Sequence, residues 1–583
     1  MMVGEPPPRT PAEVHSTRPT KCGRLPTLII LTAVLSGALL GTFQIANTSV
    51  GWHLASGRWI LDHRSFVHTD PFSFTSGQAP WIDHEWLFQV GAAVAHQVGG
   101  EPALVILRAL TIGALALLLL FVGVRSGLSP PVALLLSLVC VVGARPRFFL
   151  RPELVTLLVV PAACWLFLTR ENQKSWKWSA WLALIMVIGA NSHGGALVVP
   201  FLLGGMLVAE AAQQVFRQRW QAAALVSGLA AVAVAAVSLV INPYGWLLYE
   251  VPFKLAHLVD QPHIPNPEWA SPTLAQTPLL YVALAIAVVV MGLRERHLTR
   301  WALLAMAAAL AFRHIRNLGL FFVLLPLAVA PALATWRVLA GAAAISGRSQ
   351  RRTTALAVAA AMVLAVSIAA SPWPVFGFNF ADGYYPTAAC DFLDREDLPR
   401  SQLYNDVRFG GFLIERYVPD RLVFQDDRNE IHEELLRDIW DILQRNDVRG
   451  WNTLLEDFGC DTALVRYHAP LRAAPPDGGG PEFRGFSAQW FPRTDWALVY
   501  WDDIAMVFVR RSDADPALLA RDEYTVIRPD DLEDLQWRLR QDPDLWHLAA
   551  LEAHRALAAG PDNHRAATVA AYLAGGPASV TGP

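Results

Sequence analysis

A chain of 583 residues that is 54% hydrophobic and only 17% charged, with a mean hydropathy of +0.33, is too apolar for a water-soluble globule, in which about a quarter of residues are charged. The net charge of -3 is distributed as short Lys and Arg clusters between apolar runs rather than as one basic face, which excludes the electrostatic footprint of a nucleic-acid binder. Five cysteines (Cys22, Cys140, Cys164, Cys390, Cys460) show no CxxC and no metal-type His spacing. Cys390 and Cys460 share the C-terminal region, where the base rate favours free thiols over a disulfide.

Residues 1 to 24, rich in Pro, Thr and Arg, read as a disordered cytoplasmic tail. The apolar run from about Leu25 to Ala46 approaches the ~20 residues that cross a hydrocarbon core and lacks a small-residue cleavage site, so it reads as an uncleaved first helix. Further apolar spans fall at roughly 102–124, 128–144, 152–169, 178–193, 195–215, 221–241, 278–293, 301–313, 318–336 and 353–372. They predict a polytopic α-helical membrane protein with about eleven transmembrane helices. Alternate loops are basic, at Arg125, at Arg170, Lys174 and Lys177, at Arg217 and Arg219, at Arg294, Arg296 and Arg300, and from Arg337 through Arg352. The positive-inside rule then puts the N-terminus in the cytoplasm. It places outside the membrane the loops 47–101 and 242–277 and everything after about Ser371.

The expected organisation is therefore a transmembrane domain over 25–372, an extracytoplasmic α/β domain over 373–512 and a helical extension over 513–583. Within the second, patterning predicts helices at Ala388–Arg395, Glu430–Gln444 and Trp451–Phe458, strands at Gln402–Tyr404, Arg421–Gln425 and Thr462–Val465, a turn at Gly410-Gly411 and a hairpin over Trp496–Val509. The stretch 467–485 reads as a loop or flap. In the extension, Leu532–Arg540 and Leu545–Ala559 suggest one helical hairpin of tetratricopeptide type, too little for a repeat array.

Chemistry-bearing residues concentrate on the outer face. The first outer loop carries His53, Asp70, Asp83, His84 and Glu85 among Trp52, Trp59, Trp81 and Trp86. The tryptophans fit an interfacial belt. Carboxylates and imidazoles near a bilayer carry desolvation costs and mark a site or a paired network, the pairing candidates being Arg58 and Arg108. Arg145, Arg147 and Arg151 at one outer helix junction, and Arg313, His314 and Arg316 at another, violate positive-inside. Their planar forks suit a lipid phosphate, and the alternative is snorkelling with an internal pair to Glu153. The segments Ala190–Gly195, containing His193, and Asn242–Trp246 break apolar helices, which is tolerated only where protein or a wet cavity satisfies the backbone. Glu268 and Trp269, with Asp260 and His263, add carboxylates and a stacking ring.

The run WHLASGRWILDHRSFVHTDPFSFTSGQAPWIDHEWLFQV from Trp52, with RPRFFLRPE, ANSHGG, NPYGW, PEWASP and FRHIRN, and the later YPTAACDFL, YNDVRFGGFLI and RLVFQDDR, resembles bacterial GT-C-type membrane glycosyltransferases over about 25–512. The resemblance implies a GT-C-like helix bundle with a catalytic carboxylate in the first outer loop and a polyprenyl-phosphate sugar as donor. Family members carry acidic residues after the first helix in a stretch like Asp-x-Asp-x-Trp-Trp-His; here Asn47, Ser49 and Gly51 stand at those positions, with Trp52 and His53 kept. The base then falls to Asp83, with Glu85 and Asp70 next, or catalysis has weakened.

The expected function is thus inverting glycosyl transfer to an extracytoplasmic glycan, lipid or protein acceptor at a bacterial plasma membrane, for a cell-envelope product. Asp83, Glu85, Asp70, His53 and His84 are the catalytic candidates; Arg145, Arg147, Arg151, Arg313 and Arg316 would hold lipid phosphate; His193, Asn242, Glu268 and Trp269 would bind substrate. A divalent Mg or Mn is compatible with the carboxylates, though no spacing demands it. The C-terminal groups Asn405-Asp406, Gly410-Gly411 and Asp426-Asp427-Arg428 would bind acceptor or cap the site. The alternatives are a lipid-linked glycan polymerase or ligase, a non-catalytic envelope assembly protein, and a transporter, for which inverted repeats and mid-span carboxylates are missing.

Overall fold

The structure, a computed structural model, describes residues 26–172, 176–259, 261–262, 264, 267–341, 347–370, 374–472, 481–560 and 562–576. The N-terminal tail, Cys22, Lys174, Asp260, His263 and residues 473–480 of the expected flap lie outside the described residues. The bundle comprises α1 (Thr27–Leu40), α2 (Val50–His63), α3 (Trp86–Arg125), α4 (Pro130–Ala144), α5 (Glu153–Thr169), α6 (Lys177–Ala190), α7 (Val198–Phe216), α8 (Ala222–Ser238), α9 (Val251–Val259), α10 (Pro278–Arg294), α11 (Leu298–Arg313), α12 (Leu318–Leu333) and α13 (Gly347–Ala369). Each of the eleven apolar stretches folds as a helix. By length and composition five helices suffice to cross a membrane: Trp86–Arg125, Pro130–Arg147, Gly194–Phe216, Ile315–Leu333 and Arg351–Ala369. Thr27–Leu40, Glu153–Thr169, Lys177–Ala190, Ala222–Ser238 and Pro278–Arg294 are apolar but shorter.

The 40-residue α3 is two helices joined at a kink, where Gly99 leaves helical geometry and Gly100 takes φ 61° ahead of Pro102. Left-handed backbone is easy only for glycine, and proline starts the next helical segment well. The kink separates an apolar second half from a first half that packs on α2, Gly57 admitting the backbone of Gln89: a Cβ at Gly57 would lie 2.2 Å from the Gln89 carbonyl oxygen. The polar breaks Gly194–Leu197 and Gly245–Glu250 are 3-10 turns, as expected of helices interrupted at their ends.

Beyond the bundle come α14 (Thr387–Arg395), β1 (Gln402–Asn405), α15 (Val407–Tyr417), α16 (Glu433–Arg445), α17 (Val448–Asp457), β2 (Cys460–Arg466), β3 (Leu471–Arg472), β4 (Phe483–Arg484), α18 (Phe486–Trp490), β5 (Trp496–Trp501) and β6 (Ala505–Arg510). A mixed sheet runs β1-β2-β6-β5, with β1 parallel to β2 and the other pairs antiparallel, so the region is α/β. The chain ends in α19 (Pro516–Asp522), α20 (Leu532–Gln541), α21 (Leu545–Ala559) and α22 (His564–Ala574). The helical hairpin forms between α21 and α22, stapled by Trp546 Nε1 donating to the Leu573 carbonyl at 2.8 Å, rather than between α20 and α21.

Two expected elements differ. Gly410-Gly411 is not a turn but the middle of α15, which Asp406 caps by accepting from the Arg408 N–H at 3.1 Å. The glycines serve close packing: a Cβ on Gly411 would lie 2.0 Å from the Thr48 carbonyl oxygen, and one on Gly51 of α2 would lie 1.9 Å from the Gly411 carbonyl oxygen. Arg421–Gln425 is no regular strand; it pairs with the first outer loop through Phe74 N to Val423 O (3.1 Å) and Val423 N to Phe72 O (2.9 Å). In consequence Trp52, Phe72 and Trp81 share one core with Phe409, Leu413, Leu464 and Val507. Trp52 and Trp81 are therefore buried between the first outer loop and the C-terminal region, not arranged as an interfacial belt. Cys390 and Cys460 are buried free thiols.

Candidate functional site

The site is organised around Glu85, which immediately precedes α3. Three imidazoles from separate segments surround its carboxylate: His53 Nδ1 of α2 at 3.7 Å, His84 Nε2 at 3.8 Å and His193 Nε2 at 3.8 Å. Hydrogen bonds assign two tautomers. His193 Nδ1 accepts from the Gly195 N–H at 3.1 Å and lies 2.8 Å from Thr156 Oγ1, so its proton sits on Nε2, toward Glu85. His84 Nδ1 donates to the Ile82 carbonyl at 3.2 Å, which leaves its Nε2 an acceptor facing the same carboxylate. A protonated Glu85 is a donor matched to that acceptor.

Electrostatics agree with this arrangement. Burial, then the neighbouring Asp83 and Glu430, hold the Glu85 carboxyl well above the usual range, against the opposing pull of Arg316 and Arg151. Burial raises Asp83 to about 7, although Gln89 Nε2 donates to its Oδ1 at 2.6 Å. Asp83 is only 2% exposed, and its Oδ2 is buried without a hydrogen-bond partner among the described residues, as are His53 Nδ1, Ser56 Oγ and Gln89 Oε1. His53 and His84 are pushed down by burial, favouring neutral rings.

The carboxylates differ in how far their atoms are already used. Asp70 is fully engaged: it accepts from the N–H groups of Phe72 (3.1 Å) and Ser73 (3.2 Å), from the Ser73 hydroxyl and from Ser76 Oγ (2.8 Å), and it pairs with Arg428 Nη1 at 2.9 Å. Arg428 is buried, forks onto Asp426 through Nε (2.8 Å) and Nη2 (2.5 Å), and lies over Trp81 at 4.7 Å. Asp70 therefore ties the first loop to the C-terminal region, and Glu85 is the predicted carboxylate with accessible surface among the imidazoles. The expected partners of this loop's acids are otherwise occupied: Arg58 pairs with Glu415 at 2.5 Å, and Arg108 donates to the Gly41 and Phe43 carbonyls.

The arginines also divide. Arg147 pairs with Glu153 (2.5 Å) and Glu268 (3.2 Å), and Arg151 with Glu268 (2.9 Å), so internal pairing accounts for both. Burial opposes the charge on Glu268, but Arg151 and Arg147 hold its carboxyl down to about 2. Arg145 extends toward the Ile368 carbonyl at 3.5 Å, remote from this group. Arg313 is exposed, and half-buried Arg316 makes no hydrogen bond or ion pair with a described residue while acting on both Glu85 and Glu268. Trp269 Nε1 is buried beside this group without a hydrogen-bond partner among the described residues, its carbonyl accepting from His314 Nδ1 at 2.6 Å. Asn242 uses its side chain locally, donating to Leu239 O and Gly245 O and accepting from Tyr244 N at 2.8 Å, which makes it a turn residue.

At the inner edge of the C-terminal region, sequence reasoning named Asp426-Asp427-Arg428 but neither Glu430 nor the contacts that tie this run to the first outer loop. Asp427 accepts from Trp52 Nε1 (2.7 Å) and Thr48 Oγ1 (2.6 Å), and Glu430 acts on Asp83 and Glu85. Asp426-Asp427-Arg428 stood out as acceptor-binding or capping groups, but nothing in their spacing points to Trp52 and Thr48, more than 340 positions away. Asn47, where the resemblance implies an acid, accepts from Arg151 Nε (3.0 Å) and Ser49 Oγ (3.0 Å) and donates to the Leu150 carbonyl (3.0 Å). This neutral amide ties the junction together. Among the described residues no group of three or more His, Cys, Asp or Glu side chains is arranged to hold a metal ion, so the Mg or Mn compatible with the sequence finds no fitting donor set there.

No family model matches the chain, and no curated protein does. Among solved structures it is similar to the Archaeoglobus fulgidus oligosaccharyltransferase in the apo form, at 12% identity over 76% of this chain and 69% of that one, with a TM-score of 0.49. The complex of that enzyme with Zn and sulfate matches at 11% identity over 75% and 68%, with a TM-score of 0.45. Overlaps of this extent assign neither a fold nor an activity to the chain.

Proposed function

We propose that this protein is a membrane glycosyltransferase that moves a sugar from a polyprenyl-phosphate donor to an extracytoplasmic acceptor, with inversion. The observation that carries the reading is Glu85: an accessible carboxylate amid His53, His84 and His193, with the guanidinium of Arg316, unpaired among the described residues, within electrostatic reach. A base beside a cation is what displacement of a phosphate by a hydroxyl requires. Glu85 takes the hydroxyl proton as the oxygen attacks the anomeric carbon, the carbon–phosphate-oxygen bond breaks, and Arg316 with Arg313 meets the charge on the departing phosphate. Glu85 stands ahead of Asp83 because the latter is sealed from substrate, and Arg147 and Arg151 brace the site through Glu268.

A second reading, a non-catalytic envelope assembly protein, draws on Asn47 in place of an acid and on the neutralised Arg147 and Arg151. Both are tested by mass spectrometry of envelope glycans and lipid-linked sugars in cells lacking the gene. Complementation uses wild type, Glu85→Gln or Arg316→Ala at matched abundance. Transfer predicts that wild type restores the missing glycan while Glu85→Gln accumulates lipid-linked donor, with loss of about 10²-fold or more in rate. Full restoration by Glu85→Gln sinks the catalytic reading and favours assembly.

A further inference from the structure

The three imidazoles around Glu85 are held in different ways. His84 and His193 are each fixed through the ring nitrogen turned away from the carboxylate. For His84 the partner is the Ile82 carbonyl at 3.2 Å; for His193 the partners are the Gly195 N–H at 3.1 Å and Thr156 Oγ1 at 2.8 Å. His53 has no such anchor. It is 3% exposed, and its Nδ1, the atom 3.7 Å from Glu85 Oε2, is buried without a hydrogen-bond partner among the described residues. A ring without a hydrogen bond keeps its orientation through packing. Two rings supply that packing: Trp52, centred 3.7 Å from His53 and tilted by 39°, and Phe88 of α3, edge-on at 5.7 Å.

Trp52 is in turn held by the C-terminal region. Its Nε1 donates to Asp427 Oδ1 at 2.7 Å, and Thr48 Oγ1 donates to Oδ2 of the same carboxylate at 2.6 Å. One side chain from the C-terminal region therefore brackets the start of α2, where His53 lies one residue past Trp52. The neighbouring Arg428 is buried and clamped between Asp426 and Asp70, which fixes the backbone that presents Asp427. A buried indole N–H left unpaired is costly, so the carboxylate selects the orientation of Trp52, and the ring contact passes it to His53.

We infer that Asp427 is a positioning residue: by holding the Trp52 indole it sets the plane of His53 against Glu85, and the site is complete only with the C-terminal region docked on α2. Its effect on rate rests on the transfer reading; the orientation of His53 does not.

The test follows exchange of the imidazole C2 hydrogen for deuterium, histidine by histidine, by mass spectrometry of the full-length protein in detergent micelles. Asp427→Ala is expected to speed exchange at His53 by about tenfold and to leave His84 and His193 unchanged, because loss of a charge-assisted hydrogen bond frees the indole. Asp427→Asn, whose amide oxygen still accepts from the indole, should restore the wild-type rate. Thr48→Val, which removes only the other partner of the carboxylate, should match wild type. Adding Asp427→Ala to Trp52→Phe should produce no further change, since both act through one contact. An unchanged His53 rate in Asp427→Ala overturns the inference, as does equal acceleration at all three histidines, which would report loosening of the whole fold. In the transfer assay Asp427→Ala should lower kcat by about tenfold with KM for the lipid-linked sugar unchanged, and Asp427→Asn should recover it. A raised KM with kcat kept would overturn positioning in favour of donor binding. Absence of transfer by wild type defeats the functional reading alone, and exchange at His53 still decides the positioning.

Discussion

At the scale of single residues, the site is a question of which polar atoms remain free. Asp70 and Asn47 have none to offer, Arg147 and Arg151 are paired, and Glu85 and Arg316 are left facing each other's surroundings. Because the Glu85 carboxyl is held above its usual range, the fraction able to accept a proton grows with pH. The transfer rate is therefore expected to rise with pH, and a rate that does not rise between acid and alkaline pH would remove Glu85 as the base. Arg316→Ala should weaken binding of donor far more than of acceptor, by about tenfold in KM for the lipid-linked sugar, consistent with one lost charge-assisted hydrogen bond. Asp83 makes a separate prediction about stability. Its carboxyl, raised to about 7 by burial, binds a proton more tightly in the folded state. That contribution is full below the unfolded value near 3.8 and is lost as pH rises through about 7. Asp83→Asn removes the ionisation, so its melting temperature relative to wild type should be higher at pH 8 than at pH 4, by about 2 °C or more in a detergent melt. No trend would mean that Asp83 ionises freely, and the opposite trend that the fold favours its charged form.

At the scale of elements, the decisive contact is the crossing of α2 with α15. Two backbones meet there because Gly51 and Gly411 have no side chains, and the gaps of 1.9 and 2.0 Å left for a Cβ exclude any other residue without separation of the helices. Gly411→Ala is expected to cost about 1–3 kcal/mol and to open the segment around Arg421–Gln425 to proteolysis. Unchanged cleavage would show that the crossing is not what holds the region. This crossing also explains two misread elements. The Gly410-Gly411 pair resembles a turn in sequence because glycine is the usual turn residue, whereas here it is selected by an approach between segments that lie far apart in the chain. Arg421–Gln425 has the apolar alternation of a strand, but its partner is a loop, which supplies two backbone hydrogen bonds instead of a ladder.

At the scale of the molecule, the apolar helices and the α/β region share a boundary built by the first outer loop. The expected topology puts that boundary outside the membrane. Asp397→Cys, at a fully exposed position beyond α14, should react with an impermeant maleimide added to intact cells, and Arg219→Cys between α7 and α8 should not. Equal protection of both, or the reverse pattern, would invert the orientation. Composition and hydropathy alone were enough to set out the helices, the α/β character of the C-terminal region and the concentration of acids and imidazoles near Glu85, because burial in lipid or in a sheet imposes a local period that a sequence displays. Tertiary structure decided the rest. Which acid is sealed, which arginine is paired, and that Asp427 and Arg428 reach the first outer loop depend on distances between segments hundreds of residues apart. Charge neutralisation and close backbone approach act between such segments and leave no period in either one.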